Sequence, residues 1–442
     1  MIWIIYLICI CIILHDKRTI IPVFLIASMW INFDVRCGPL SFISMLSIFI
    51  VIYGFITRKK NLRFETDLDK TIYGYCLYMM IIYVPFMIFG TDLSFLYQTN
   101  SIKSNILNFI LLIVLWKLNI SNIASIKKQW TWIGVSMGVL CLYGIYTYWS
   151  KTNPYMDEMA QYCTTEDLSE LLARSMEDAR GNLSGRITGT SLYTIQYAIM
   201  LVIFFWGGLV YKPFFHKKYF YLIIILALIN IYLTGSRGPL AGLLIGIILY
   251  LMQVLKPSRQ IMYICLFSVF LLFGWPYVES YISLFSDKDI QGSSVEMRFA
   301  QFGAALAMVA DNIQSLLFGK GLGYTAFYIS NYGPHPVALY FESSHVSGIV
   351  NYGILGLLFI FIGNIYFLLR ISLKALRRKM ISKNSFYILA SFLLSYFIYN
   401  LLVGSVYNNL FIIMFFITLK ICVYKYRQVK NVKPIHKIVT NA

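Results

Sequence analysis

The sequence predicts an all-α polytopic membrane protein, and three observations carry that prediction. Of the 442 residues, 59% are apolar and only 13% are charged, about half the charged share of an average soluble domain. The apolar residues fall in long runs separated by short charged clusters, as helices that satisfy their own backbone inside a bilayer require. The basic residues are divided unequally between alternate loops. The period-two alternation of a transmembrane barrel is absent, and no small-residue cleavage site marks a signal peptide.

In order, the apolar runs are 1–14, 19–33, 38–57, 72–90, 102–117, 130–149, 188–210, 219–234, 238–255, 260–276, 345–369, 384–402 and 407–424. They predict about 13 transmembrane helices, within a range of about 11–14 because the first two runs are short. The loops on one side hold Lys17 and Arg18, the cluster Arg58–Lys70, Lys117, Lys127 and Lys128, Lys212–Lys218, Lys256 and Arg259, Arg370–Lys383 and the tail from Lys420. Together these make 27 of the 37 Lys and Arg residues. The positive-inside rule then puts the C-terminus and the basic tail 425–442 in the cytoplasm, with the N-terminus outside. The net charge of +18 is thereby explained by topology, and no nucleic-acid partner is required. Of the eight cysteines, Cys9, Cys11, Cys76, Cys141, Cys265 and Cys422 read as small core residues. Cys37 and Cys163 fall outside, where a disulfide depends on geometry that spacing does not give. No Cys/His spacing predicts a metal site.

The cytoplasmic loops are short and basic, and none carries a phosphate-binding glycine loop. Two large loops are expected on the outer side, 150–187 and 277–344. In the first, Thr164-x-x-Asp167 precedes Leu168, Leu171, Leu172 and Met176 at helical spacing, so a short amphipathic helix is expected there. In the second, Ser293-x-x-Glu296 is a capping-box pattern. Val295, Phe299, Phe302, Leu306, Val309, Ile313 and Leu316 then predict a surface helix over 294–318. Gly319–Gly323 ends that helix, and Gly333–Val337 predicts a rigid turn.

Charge at the edge of a membrane span is costly and marks a candidate functional site. Arg186 precedes a span from outside. Arg237 tops the turn Thr234-Gly-Ser-Arg-Gly-Pro239 between two spans, and His345 opens a span from outside. Arginine gives planar, bidentate contact to phosphate oxygens. A turn that opens a helix also presents main-chain N–H groups to an anion, and a neutral imidazole can act as a general base. The set therefore suits a base activating a nucleophile beside a lipid diphosphate. Arg298, Arg180, Glu342 and Tyr324 lie on the same side as further candidates for substrate contact. Each has a plainer reading: Arg298 as an interfacial arginine, Glu342 as a helix-start residue, Tyr324 as part of an aromatic belt.

The run Leu233-Thr-Gly-Ser-Arg-Gly-Pro-Leu-Ala-Gly242 resembles the Ser-Arg-Gly turn of the O-antigen polymerase/ligase family. Three further stretches agree in order: Gly185-Arg-Ile-Thr-Gly-Thr190; Glu296-Met-Arg-Phe299 with Leu317-Phe-Gly-Lys-Gly-Leu-Gly323; and Ser344-His345 with Gly353-Ile-Leu-Gly356. The resemblance implies a GT-C-like, metal-independent glycosyltransferase of the bacterial inner membrane that needs no cofactor. It implies an undecaprenyl-diphosphate-linked oligosaccharide as substrate on the periplasmic side, and it admits a chain-length regulator as protein partner. Arg186 and Arg237 correspond to diphosphate-binding arginines, and His345 to the base. His345 is followed by Val346 where ligases carry Asn, Ser or Gln, and Arg174…Gly185 matches a polymerase spacing. The chain is thus most like a Wzy-type O-antigen polymerase. The alternatives are an O-antigen ligase acting on lipid A-core and, from another class, a lipid-linked oligosaccharide flippase. A flippase would need charges inside the spans and internal repeats, and neither is evident.

Overall fold

The computed structural model describes residues 1–32, 34–57, 66–90, 92–117, 123–163, 183–211, 217–255, 295–341, 343–402 and 408–438. The expected span 260–276, the expected helix after Thr164, Ser293 of the capping box, Arg174, Arg180 and Glu342 lie outside these residues. Seven described helices are long and apolar enough to cross a membrane, and five shorter apolar helices accompany them. This is the all-α polytopic architecture expected.

The first three helices, α1 (Ile2–His15), α2 (Ile20–Trp30) and α3 (Phe42–Thr57), pack on one another. At ~1.5 Å per residue, α2 reaches about half the depth of the hydrocarbon core. The run 19–33 is therefore a half-length helix. A two-residue hairpin, β1 (Arg36–Cys37) against β2 (Leu40–Ser41), joins α2 to α3. Cys37 and Cys163 are free thiols. The bridge partner of Cys163 is Val35, which leaves the two cysteines out of register.

Next come α4 (Asp67–Ile81), α5 (Tyr83–Phe89), α6 (Phe95–Lys117), α7 (Ile123–Ser150) and the short α8 (Pro154–Ala160). Thr66 caps α4 in a reciprocal capping box with Asp69, which satisfies two main-chain donors at once. Asp69 also accepts from Trp116 Nε1 at 2.8 Å and pairs with Lys117 at 3.3 Å. Lys420 donates to the carbonyl of Leu115 at 2.9 Å, and Arg378 pairs with Asp67. Basic residues from three separate segments thus gather at one end of the bundle, as the sorting of the loops anticipated.

The centre is built by α9 (Thr194–Tyr211), α10 (Lys217–Leu233) and α11 (Arg237–Val254), with α17 (Lys383–Leu402) and α18 (Asn408–Ile438) closing around them. From Tyr197 to Trp206, α9 is buried on every side, which a helix apolar all round requires. Polar groups inside the bundle are paired between helices: Trp206 Nε1 donates to Ser395 Oγ at 2.9 Å, and Asn230 Nδ2 to the Cys141 carbonyl at 3.0 Å. The exterior is apolar, with Ile56, Ile81, Leu142 and Ile225 all more than half exposed. Such a surface fits lipid and not water.

The expected helix 294–318 is two helices, α12 (Val295–Val309) and α13 (Ile313–Phe318). Asn312 breaks it by accepting from Ser315 N at 2.7 Å and capping the second helix. Only part of the apolar stripe faces inward: Val309 is fully buried with Gln301 and Ala305, while Phe299 and Phe302 point out. Small side chains let α12 lie close against the helix Ser344–Gly356.

After α14 (Tyr324–Tyr332), the chain enters α15 (Ser344–Gly356), which is broken at Gly353, then a π-helical turn (Leu357–Ile362) and α16 (Gly363–Arg377). Gly353 has φ 66° and ψ −168°, a region only glycine occupies readily. A Cβ there would lie 2.5 Å from the Leu317 carbonyl carbon, and one at Gly319 would lie 2.5 Å from Asn351 C. Two glycine-bearing stretches of the second half therefore press backbone to backbone, and Lys320 N donates to Val350 O at 2.8 Å to seal the contact.

Candidate functional site

The site begins with the segment Gly185–Tyr193, which is irregular and, up to Leu192, buried throughout. Non-helical backbone at this depth needs protein partners for its polar groups, and it has them. Asn153 Nδ2 donates to Thr188 Oγ1 at 2.9 Å and to Gly189 O at 2.8 Å, and Thr190 Oγ1 donates to Met29 O at 2.6 Å. This scaffold fixes Arg186, which is 8% exposed. Its Nε donates to the Thr234 carbonyl at 2.8 Å, and its Nη2 to Thr194 Oγ1 at 2.5 Å and Ser236 Oγ at 3.3 Å.

The two predicted arginine stretches are therefore in direct contact. Arg186 grips the turn Thr234–Ser236, and Arg237 is the next residue. Gly235 has φ 60°, and a Cβ there would stand 3.2 Å from Arg186 Nε. Thr234 Oγ1 accepts from Ser236 N at 3.2 Å and tightens the turn. Arg237 is then the first residue of α11, with Ser236 as its N-cap. Pro239 sits in the first turn, where its missing N–H costs nothing. The N–H groups and dipole of that helix end favour an anion.

His345 stands at the start of α15. Ser343 caps the helix by accepting from His345 N at 3.3 Å, and Ser343 Oγ reaches the Leu401 carbonyl at 3.4 Å. Ser344 Oγ donates to Asn400 Oδ1 at 3.0 Å. The imidazole meets the Phe361 ring edge-on, with centroids 4.3 Å apart. The ring Nδ1 is shielded from solvent and meets no hydrogen-bond partner among the described residues.

Helix α17 links His345 to the arginine turn. It runs antiparallel to α11: Tyr250 OH meets Asn384 Oδ1 at 3.2 Å, and a Cβ on Gly242 would lie 2.7 Å from the Ser395 carbonyl oxygen. Continuing that register, the Arg237 end of α11 lies toward the Asn400–Leu402 end of α17, where His345 is anchored. Both groups stand at the end of the bundle opposite Lys383.

Near the start of α15 opens a cavity of about 790 Å³ lined by Ser344, Ser347, Phe361 and Gln196 among others, while Arg186, Arg237 and His345 are not among its lining residues. Its volume is that of a ligand site. The break at Gly353 and the π-turn carve it: Gly356, Leu357, Ile360, Phe361 and Asn364 all line it. π-turns recur at functional sites because the extra residue widens the helix. Sequence reasoning missed the amides of this wall. Asn105 and Asn108, at i and i+3 on one apolar span, were a readable signal. Asn32 and Asp34 in a loop carried none.

Other candidates fall elsewhere. Tyr324 joins a row with Tyr328 and Lys320, whose Nζ lies 5.8 Å from its ring; the next residue, Thr325, lines the cavity instead. Arg298 lies on α12, and its side chain is not among those described. His335, in the predicted Gly333–Val337 turn, accepts at Nδ1 from Val337 N and Ala338 N.

Residues 222–361 match the O-antigen ligase family model, Wzy_C. No curated protein matches the chain. The match bears out the resemblance to the O-antigen polymerase/ligase family. It takes in the Arg237 turn, the paired glycine stretches and His345, and leaves Arg186 outside its limits.

Proposed function

We propose that the protein is a membrane-embedded glycosyltransferase that polymerises O-antigen or a related surface polysaccharide. It moves the growing glycan from undecaprenyl diphosphate to a new lipid-linked repeat unit at the periplasmic face. The observation that carries this reading is that a helix N-terminus headed by Arg237 and the imidazole of His345 both lie toward the Asn400–Leu402 end of α17. The family match supports the same reaction class. The Val346 neighbour of His345 favours the polymerase over the ligase.

In this mechanism the His345 imidazole takes the proton from an acceptor hydroxyl. The hydroxyl oxygen attacks the anomeric carbon. The bond from that carbon to the diphosphate oxygen breaks, and its electron pair leaves with the lipid diphosphate. Arg237 and the N–H groups of α11 stabilise the charge as it develops. Arg186, bound to Thr234, Thr194 and Ser236, holds the turn in place, and so acts on the diphosphate through Arg237.

The test is transfer by purified protein given defined lipid-linked repeats, with and without lipid A-core. Wild type should extend the repeats, and His345→Ala should lose extension by about a hundredfold or more while folding normally. Extension persisting in that variant would remove His345 from the chemistry. Transfer only to lipid A-core would make the protein a ligase.

A further inference from the structure

The cavity and the arginine turn differ in chemistry, and the difference bears on the substrate. Among the described residues that line the cavity, Asp34 carries the sole formal charge. Asn32 Nδ2 donates to Gln196 Oε1 at 3.0 Å, and Asp34 N donates to Asn32 Oδ1 at 3.3 Å. These bonds tie Asn32, Gln196 and the Asp34 main chain together at the cavity wall. On the opposite wall Asn409 Nδ2 donates to Asn105 Oδ1 at 3.3 Å, and Asn408 Oδ1 is buried and meets no partner among the described residues. Amides and a carboxylate offer the paired donors and acceptors that vicinal hydroxyls need. None of them carries a positive charge to pair with an anion.

We propose that this cavity is the glycan subsite, and that it takes neutral or amino sugars and rejects sugars bearing a carboxylate. The inference rests on the transferase reading for the role of the bound glycan, but not for the selection itself. No Lys or Arg is among the described residues that line the cavity, and Arg36, whose charge acts on Asp34, is not part of that lining; a diphosphate placed here would face Asp34, so the anionic head is left to the Arg237 turn. A uronic acid would meet the same repulsion in a site of restricted water, where an unpaired charge is most costly. An amino sugar would instead gain an ion pair with Asp34.

The experiment uses the full chain in lipid nanodiscs, probed with an array of lipid-free oligosaccharides built in matched sets. Members of a set differ at one ring position, carrying a hydroxymethyl, an amine or a carboxylate. Neutral and amino members should bind more strongly than the acidic member by about tenfold or more. Asp34→Asn should abolish that discrimination, and Asn105→Leu should weaken neutral binding; elution as a single folded species checks both variants. Equal binding of acidic and neutral members by wild type would overturn the proposal, as would no glycan binding at all, or discrimination unchanged in Asp34→Asn. Transfer is scored separately. A protein that discriminates the array but fails to extend lipid-linked repeats would overturn the transferase reading and leave the subsite standing.

Discussion

Replacing Arg186 by lysine keeps the charge and removes the fork. The guanidinium now serves the Thr234 carbonyl and the Thr194 and Ser236 hydroxyls from two nitrogens. A lysine ammonium sits at the tip of an unbranched stem and can hold only part of that set. A hydrogen bond to a charged group contributes about 1.5–3 kcal/mol, so losing two costs about 3–6 kcal/mol. The loss is not softened by water, because the residue is 8% exposed and the stranded acceptors stay buried. Against a folding stability of about 5–15 kcal/mol, this should lower the melting temperature by several degrees in a tryptophan-fluorescence unfolding scan in detergent. Transfer to lipid-linked repeats should fall with it, since the turn that presents Arg237 is no longer held. A variant that melts like wild type would refute the clamp. If that variant also lost transfer, Arg186 would contact the diphosphate itself.

Arg237→Lys should behave in the opposite way, losing transfer by about tenfold or more at an unchanged melting temperature; a lowered melting temperature would make Arg237 structural. Gly353→Ala should destabilise by about 1–3 kcal/mol from backbone strain alone, and more because its Cβ would meet Leu317 C at 2.5 Å. Gly303→Ala, with nothing within 4 Å of the new methyl, is the control that should melt at or above wild type. Burial pushes the Asp34 carboxyl above its ordinary value of 3.8, partly offset by the Gln196 hydrogen bond and by Arg36. A raised carboxyl disfavours the folded state once pH exceeds its folded value. Asp34→Asn should therefore raise the melting temperature near pH 7. The gain should vanish as pH falls below the ordinary carboxyl range, and a gain that persists there would exclude titration of Asp34 as its cause.

Fold class was legible because spans must be apolar along their whole length, and most described helices fall where the apolar runs do. The helix breaks were not legible from periodicity. Asn312 divides a continuous apolar stripe by capping with its side chain, which the stripe does not encode. Gly353 sits inside an apolar run, and its positive φ depends on Gly319 approaching from far along the chain. Arg186, Arg237 and His345 were readable as costly charges at span ends. That Arg186 is bound to the Arg237 turn was not, since spacing of 51 residues says nothing about contact. The amide-lined wall was missed for a related reason: its asparagines lie on α6, α15, α16, α18 and the loop after α2, and only packing brings them together.

In the proposed mechanism, the helix end headed by Arg237 and the imidazole of His345 are both held against α17. On one side, Gly242 and Gly246 let α11 lie against Ser391–Tyr399, where a Cβ at Gly246 would stand 2.1 Å from Ser395 Oγ and 2.7 Å from the Trp206 ring. On the other, Ser343 and Ser344 hydrogen-bond to Leu401 and Asn400. The packing of α17 thus sets the separation between the leaving group and the attacking hydroxyl, which is the quantity an in-line transfer depends on most steeply. Small residues along α11 and serines along α17 are therefore part of how the reaction geometry is held, although none of them touches the diphosphate.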